Sequence, residues 1–262
     1  MCPYLYLFGY KLQSYYLCAA LAGITGIVLS AVCLRKKNQG PWALILPLLA
    51  AVFALIGARV LNYITNPRAF SGMALWELSY RKLSLMGGLI AGTAAIVLYC
   101  LIKKKRFAAI ADAFALPAAA GIFLLKLGCF LNGCCHGKPT EGPFGMIFPA
   151  NEFKYHFINS LKLVNAKSPV VHPTQLYEIA GVLAAVLAAV LLTKALKLAE
   201  GSAAAVFAAC FSAARWIVLP FRELPYDSRI SAVFYPCLYA ALIVISLAFL
   251  GKQNLKNQKP EE

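Results

Sequence analysis

Residues 124–145 read LLKLGCFLNGCCHGKPTEGPFG, and the interpretation of the whole chain starts from this stretch. An apolar run ends here in a cation, an amide, two thiols and an imidazole, which belong to Lys126, Asn132, Cys134, Cys135 and His136. These groups fall within about three turns of helix. Hydrophobic helices usually end in plain loops, so this concentration of reactive side chains predicts a functional site at the end of a helix.

The composition is that of a membrane protein. Of the 262 residues, 61% are hydrophobic and 13% are charged, and the mean hydropathy is +0.71. Soluble domains carry about 25% charged residues, and a transmembrane helix needs about 20 apolar ones. We therefore predict an all-α integral membrane protein. A single domain over residues 1–262 forms a bundle of about seven transmembrane helices, with one long outward-facing loop segment at about 132–171.

The apolar runs also predict an orientation in the membrane. They lie at about 14–34, 42–63, 84–102, 107–131, 176–192, 202–221 and 232–250. Lysine and arginine follow the first, third, fifth and seventh runs, and cytoplasmic loops carry an excess of these residues. We expect an outward N-terminus, a cytoplasmic C-terminus and a site that opens outward. Span-flanking residues account for the net charge of +15 without a nucleic-acid partner, although attraction to anionic membrane lipid is a second interpretation.

Two arginines near the sixth run point to an anion. Arg215 is expected in mid-span, where an unpaired cation is costly and indicates function. Arg222 follows seven residues later, which is two turns along the same face of a continuous helix. With Lys126 they would form a pocket for an anionic head group, because planar guanidinium groups match phosphate oxygens. Alternatively, Arg215 simply pairs with Glu178, one turn into the fifth span.

Several other positions allow two interpretations each. Gly87 and Gly88 permit close approach of either a neighbouring helix or a substrate. Tyr15 is either an anchor at the membrane interface or a hydrogen-bond donor to substrate. His172 either caps the fifth span or takes part in chemistry.

The thiols at 134–135 suggest a metal or a disulfide. Structural zinc sites use four ligands, usually in two separated pairs. Here Cys129 is the only other thiol nearby in sequence, so we expect no metal ion. A disulfide between Cys129 and one of the pair is favoured over a metal if the site faces an oxidising compartment. A bond between the adjacent Cys134 and Cys135 would be strained.

Ordered segments of the chain carry a family resemblance. They are residues 14–17 (SYYL), 76–77 (WE), 84–89 (SLMGGL), 126–137 (KLGCFLNGCCHG) and 172–178 (HPTQLYE), followed by Arg215 and Arg222. Together they resemble the prolipoprotein diacylglyceryl transferase family of bacterial inner membranes over nearly the whole length. Five positions depart from the family pattern. Met86 stands where the family has His, Lys126 where it has Arg, Cys129 where it has Asn, Cys134 where it has Glu, and Leu219 where it has Glu. The chain resembles a divergent branch with a GCF…GCC motif.

The resemblance implies a transferase of the bacterial inner (cytoplasmic) membrane that uses no cofactor. Its substrates would be phosphatidylglycerol, a membrane lipid, and the lipobox cysteine of prolipoprotein signal peptides. The catalytic residues implied are Arg215, Lys126, His136 and His172. The substrate-binding residues implied are Arg222, Asn132, Tyr15, Gly137, Gly87 and Gly88. Because Met86 replaces the usual histidine, His136, His172 or the lipid phosphate would have to accept the thiol proton.

Two alternatives to this function stay open. The first is a relative that acts on a different acceptor through Cys134 or Cys135, as a covalent or redox thiol. The second is a non-catalytic membrane protein that binds anionic lipid or partners.

Overall fold

A computed structural model describes residues 2, 4–7, 10–70, 83–148, 170–224 and 229–258. These residues contain seven α-helices: α1 (Ser14–Lys36), α2 (Trp42–Thr65), α3 (Leu85–Ile102), α4 (Phe107–Asn132), α5 (Thr174–Ala195), α6 (Ser202–Val218) and α7 (Tyr235–Gln258). A 3₁₀ turn, Leu219–Phe221, extends α6, and a π-helical turn, Ile230–Phe234, precedes α7. Seven helical segments of the described residues are long and apolar enough to cross a membrane. The predicted all-α membrane bundle is therefore confirmed.

Two short antiparallel strand pairs in the described residues were not expected from the sequence. Strand β1 (Tyr4–Leu7) pairs antiparallel with β2 (Tyr10–Gln13), which runs directly into α1. Strand β3 (Met146–Ile147) pairs with β4 (Val170–Val171), which lies far along the chain. Residues 149–169 of the predicted loop segment, and the Trp76-Glu77 motif, lie outside the described residues.

Basic loops meet at one end of the bundle. Glu200 lies between α5 and α6. Its carboxylate oxygens are 3.7 Å from Nζ of Lys37, in the α1–α2 loop, and 3.8 Å from a terminal nitrogen of Arg106, in the α3–α4 loop. Beside them, the carboxylate of Asp112 in α4 accepts hydrogen bonds from the backbone N–H groups of Gly201 and Ala204, at 2.7 and 2.9 Å. A carboxylate at this place stabilises the N-terminus of α6. The basic loops thus share one end, as the charge pattern predicts, while the side of the membrane on which this end lies remains a prediction.

Helices α2 and α3 touch through glycines. A Cβ atom added to Gly87 would overlap the carbonyl oxygen of Gly57, and one added to Gly88 would lie 3.2 Å from the carbonyl oxygen of Ala54. Small residues let helix backbones approach closely in membrane proteins. The structure therefore supports the packing interpretation of Gly87 and Gly88, while their contact with substrate stays a prediction.

We expect Gly57→Ala to lower the free energy of unfolding by about 1–3 kcal/mol, the usual cost of overpacking. The new methyl group would lie 2.5 Å from the carbonyl oxygen of Gly87. The matched control is Gly26→Ala in α1, where no atom lies within 4 Å of the added Cβ. Better helix propensity should leave that variant unchanged or stabilise it by up to about 1 kcal/mol. Thermal unfolding in detergent measures both, and equal shifts would contradict the close contact.

Candidate functional site

One buried carboxylate lies among three cations. The Oε2 atom of Glu178 is 2.5 Å from Nζ of Lys126 and 2.7 Å from a terminal nitrogen of Arg215. Its Oε1 atom is 3.4 Å from Nε of Arg222. The side chain of Glu178 is only 2% exposed, and that of Arg222, the most open of the four, is 15% exposed. Within the described ion-pair network these cations share this one carboxylate, so the cluster carries two excess positive charges.

Four separate elements supply the cluster. Lys126 lies near the C-terminal end of α4, Glu178 in the second turn of α5, and Arg215 in the last turn of α6. Arg222 follows the 3₁₀ turn with extended backbone angles, φ −80° and ψ 139°. The ends of α4 and α6 and the start of α5 therefore meet opposite the basic loops.

One expectation about the arginines is wrong. The apolar segment that contains Arg215 runs from Ser202 to Phe221, as predicted, and Arg215 lies in the last turn of α6. Arg222 is not on the same helical face, because the chain leaves the helix through the 3₁₀ turn that contains Pro220. Proline has no backbone N–H to continue an α-helix. The change of direction, rather than helical periodicity, brings Arg222 back to Glu178.

The pairing of Arg215 with Glu178, weighed as an alternative to a substrate pocket, is present. Lys126 pairs with the same oxygen, so the two interpretations are compatible: a single carboxylate holds the cations together without neutralising them. The guanidinium carbon of Arg215 also lies 5.9 Å from the ring centroid of Tyr239 in α7, within the range of a cation–π contact.

Hydrogen bonds fix the loop that follows α4. Gly133 ends the helix with φ of 72°, and the N–H of Cys134 donates to the carbonyl oxygen of Cys129 at 3.0 Å. The buried side chains of Gln175 and Thr174 donate to the carbonyl oxygens of Cys134 and Cys135, at 2.7 and 2.9 Å. The start of α5 therefore holds the thiol loop as well as Glu178.

Gly137 joins the loop to the ends of two helices. Its N–H donates to the carbonyl oxygen of His172 at 2.7 Å, and the next N–H, of Lys138, donates to the carbonyl oxygen of Phe221 at 2.9 Å. A Cβ atom at Gly137 would overlap that same Phe221 oxygen. Close backbone approach therefore requires glycine here, beside Arg222.

The two candidate histidines flank Gly137. Nδ1 of His136 lies 3.1 Å from the carbonyl oxygen of Gly137, and its ring stacks on Phe148 with centroids 5.8 Å apart. Nδ1 of His172 lies 3.2 Å from the hydroxyl of Tyr177. The residue at the N-cap of α5 is Pro173, and it provides no side-chain cap, so the interpretation of His172 as a cap is wrong.

Three cysteines converge next to the cations. The sulfur atoms of Cys129, Cys134 and Cys135 all lie within 4.8 Å of one another. All three are free thiols, so the expected disulfide between Cys129 and one of the pair is absent. Cys129 and Cys134 are buried, whereas Cys135 is exposed.

The environments of the two loop thiols differ. Hydrogen bonds from Cys129 and Cys134 hold the pKa of Cys135 well below its usual range, and the charges of Lys126 and Arg222 act in the same direction. For Cys134, a hydrogen bond from Cys129 lowers the pKa, but the interaction with Cys135 and burial outweigh it and raise the pKa to about 12. Of the two loop thiols, Cys135 therefore loses its proton more readily than Cys134.

Of the other residues singled out from the sequence, Asn132 lies at the site, whereas Tyr15 and Met86 pack against neighbouring helices. Asn132 is buried and interacts with the thiol of Cys134. Tyr15 is half-buried at the start of α1, where a Cβ atom at Gly128 of α4 would lie 3.5 Å from its Cα. Met86, which replaces the family histidine, is 2% exposed within the apolar core.

Sequence reasoning missed a cavity of about 400 Å³ beside Arg222. It lies between the end of α6 and the start of α7, and its lining includes Lys138, Trp216, Arg222, Glu223, Ser231 and Pro236. The hydrogen bonds that Thr174 and Gln175 make to the cysteine loop were also not predicted. The position of both residues in the HPTQLYE segment, close to Glu178, could have indicated a role in the site.

Comparisons with known proteins agree with the motif order. The model of a family described as "Prolipoprotein diacylglyceryl transferase" matches residues 3–251. A protein named phosphatidylglycerol–prolipoprotein diacylglyceryl transferase from Synechococcus sp. (strain CC9902) is 31% identical over 186 residues, which cover 67% of this chain and 61% of that protein. The protein of the same name from Parasynechococcus marenigrum (strain WH8102) is 32% identical over 187 residues, which cover 67% of this chain and 62% of that protein. The one from Clostridium tetani (strain Massachusetts / E88) is 26% identical over 179 residues, covering 65% of each. The chain thus spans less than two thirds of the length of these relatives.

Glu178→Gln should destabilise the protein by about 3–5 kcal/mol, because it leaves buried cations without a counter-charge. The matched control is Glu200→Gln, which removes a 52% exposed carboxylate that also faces two cations. Surface ion pairs contribute about 0–1 kcal/mol, so this control should lose little. Chemical or thermal unfolding in detergent compares the two. Similar losses would show that Glu178 does not hold the cluster together.

Cys135 should react with iodoacetamide faster than Cys134 at a pH below the ordinary thiol range, because its pKa is lowered and the residue is exposed. Cys134 should stay unmodified until its buried surroundings open. Peptide mapping by mass spectrometry after brief alkylation at pH 6 to 7 distinguishes the two residues. Preferential labelling of Cys134 would contradict this order of the two pKa values.

Proposed function

Because the chain belongs to the prolipoprotein diacylglyceryl transferase family, we propose that it transfers the diacylglyceryl group of phosphatidylglycerol to the cysteine thiol of prolipoprotein signal peptides. The observation that carries the proposal is the buried cluster around Glu178, with two excess positive charges beside an open cavity. Buried charge without compensation is costly, and an anionic phosphate supplies the compensation.

The reaction places new charge where the cations are. The thiolate sulfur of the acceptor attacks the glyceryl carbon that carries the phosphate. A carbon–sulfur bond forms, the carbon–oxygen bond breaks with its electron pair on oxygen, and glycerol phosphate leaves. A phosphodiester with one negative charge becomes a phosphomonoester with a second one. Donors fixed beside a group that gains charge stabilise the transition state more than the ground state.

The contacts suggest separate roles for the cations. Lys126 and Arg215 lie closest to Glu178, and both are almost fully buried, so they hold the positive charge in place. Arg222 meets Glu178 through Nε and also lines the cavity, and we assign its two terminal nitrogens to the phosphate. Asn132 and Tyr15 are proposed to bind the glycerol head group, and Gly137 keeps the loop close to Arg222.

Three groups are candidates to accept the proton of the acceptor thiol. Met86 has no basic atom and is buried in the core. His136 and His172 both adjoin Gly137, and either imidazole, or the lipid phosphate itself, is a proposed acceptor. In this proposal the end of the bundle that carries the cluster opens to the outer face of a bacterial cytoplasmic membrane, and the basic loops lie in the cytoplasm, as the charge pattern predicts.

A second function is favoured by the departure at Met86 together with the convergence of thiols. In this alternative the protein modifies an acceptor other than a lipobox cysteine, and Cys135 serves as the nucleophile that carries the group. Cys135→Ser would then abolish turnover even under reducing conditions, and a diacylglyceryl adduct would be found on Cys135 itself.

Arg222→Gln is expected to lower the rate of diacylglyceryl transfer about 10²- to 10³-fold, the usual effect of removing one fixed donor from a developing anion. The control is Arg106→Gln, which removes the same charge from a 77% exposed side chain among the basic loops. Transfer from phosphatidylglycerol to a lipobox peptide in proteoliposomes, followed by mass spectrometry, compares the two. Equal rates in the two variants would remove Arg222 from the phosphate site.

A further inference from the structure

The three-thiol cluster has the geometry of a metal site. In zinc–thiolate sites the metal–sulfur distance is about 2.3 Å, which places the sulfur atoms about 3.8–4.0 Å apart. The sulfur atoms of Cys129, Cys134 and Cys135 lie within 4.8 Å of one another, so a movement of about 1 Å or less would close them around one ion. The sequence argued against a metal because it offered no second ligand pair, but the structure places Cys129 directly beside the other two thiols.

The backbone holds the three sulfur atoms in this arrangement. Cys129 lies in the last turn of α4, and Cys134 follows the left-handed residue that ends the helix. Cys135 also has a positive φ, 61°, which residues other than glycine rarely adopt. The carbonyl oxygens of both loop cysteines accept hydrogen bonds from the buried side chains of Thr174 and Gln175. These hydrogen bonds and backbone angles fix the positions of the sulfur atoms, as the ligands of a metal ion must be fixed.

A disulfide accounts for the cluster less well than a metal does. A disulfide would use two sulfur atoms and leave the third without a role, and pairing the adjacent Cys134 and Cys135 would require a strained ring. All three thiols are free and all three converge. Metal binding uses every member of the group.

The surrounding charge also fits. A divalent ion with three thiolates carries one net negative charge, and a fourth thiolate would raise it to two. Lys126 and Arg222 act electrostatically on Cys135, and their cluster has two excess positive charges. The described residues group no histidine or carboxylate with the three thiols, which leaves a fourth coordination position open. Catalytic zinc sites keep such a position for water or substrate.

We propose that Cys129, Cys134 and Cys135 bind one thiophilic divalent ion of the zinc class, and that its open fourth position binds the acceptor thiol as a thiolate. The second half of this statement rests on the proposed function. Coordination deprotonates a thiol outright, so the ion would supply the activation that Met86 cannot.

The chemistry balances without a change of oxidation state. On loading, each thiol of the trio that still holds a proton releases it to solvent as three metal–sulfur bonds form. The acceptor thiol releases its proton as it displaces water from the fourth position. Its sulfur then forms the bond to the glyceryl carbon, the carbon–oxygen bond breaks, and the neutral thioether leaves the metal together with glycerol phosphate.

Metal binding can be tested without an activity assay. The full-length protein is purified under reducing conditions, stripped with a chelator and titrated with Co²⁺, whose bonds to thiolates give charge-transfer absorption. We expect one ion per chain, competition by Zn²⁺, and an affinity at least about 100-fold lower in Cys134→Ser, since loss of a ligand should exceed the 10- to 100-fold effect of altering a supporting residue. The matched control is Cys100→Ser, a buried cysteine of α3 outside the trio.

A second readout avoids substitutions that could impair folding. In the wild-type protein, Zn²⁺ should slow alkylation of Cys135 at least tenfold and leave that of the exposed Cys237 unchanged. Thiolate-to-cobalt absorption that is absent from wild type, or equal in Cys134→Ser and wild type, would overturn the site. So would alkylation of Cys135 that is indifferent to Zn²⁺, or recovery of a disulfide within the trio from protein kept reduced.

The role of the fourth position has its own test. A lipobox peptide should change the cobalt spectrum, while the same peptide with serine in place of cysteine should not. Cobalt binding without this difference would overturn the acceptor role. If metal binds and the cysteine peptide alters the spectrum but no diacylglyceryl adduct forms from phosphatidylglycerol, the proposed transferase function fails while the site stands.

Discussion

The structure depends on the carboxylate of Glu178, which holds Lys126, Arg215 and Arg222 together in the buried part of a membrane protein. Without this carboxylate the three cations would repel each other in an apolar surrounding. Two of them lie on helices α4 and α6, and the third lies in the chain just after α6. One carboxylate is enough to assemble them but too little to neutralise them. The two remaining positive charges favour the binding of an anion at this end of the bundle, which is the basis of the proposed function.

The start of α5 connects this charge to the thiols. Glu178 binds the cations, and one turn earlier Thr174 and Gln175 bind the carbonyl oxygens of the cysteine loop. A single helical turn therefore sets the positions of two chemically different groups. In the proposed mechanism the cations stabilise the leaving phosphate, and the three cysteines hold a metal ion that activates the acceptor thiol.

Much of this arrangement could be predicted from sequence because its causes are local. Long apolar runs with basic flanks predict the spans, and intramembrane cations predict a site. The features that could not be predicted depend on places where the backbone changes direction or where distant segments meet. Pro220 ends the regular helix, so Arg222 reaches Glu178 by a route that helical periodicity misplaces. Left-handed turns at Gly133 and Cys135 bring the thiols together. The pairing of β3 with β4 is remote in sequence, and the contact of Gly87 with Gly57 is tertiary.

The most direct measurement of the central claim is product analysis with the unmodified protein in proteoliposomes. Phosphatidylglycerol and a lipobox peptide are supplied, and the peptide adduct and glycerol phosphate are quantified together by mass spectrometry. The account predicts a diacylglyceryl thioether on the cysteine and glycerol phosphate in equal amounts, and no product when a zwitterionic phospholipid replaces phosphatidylglycerol. A folded protein that binds phosphatidylglycerol yet forms neither product would contradict it.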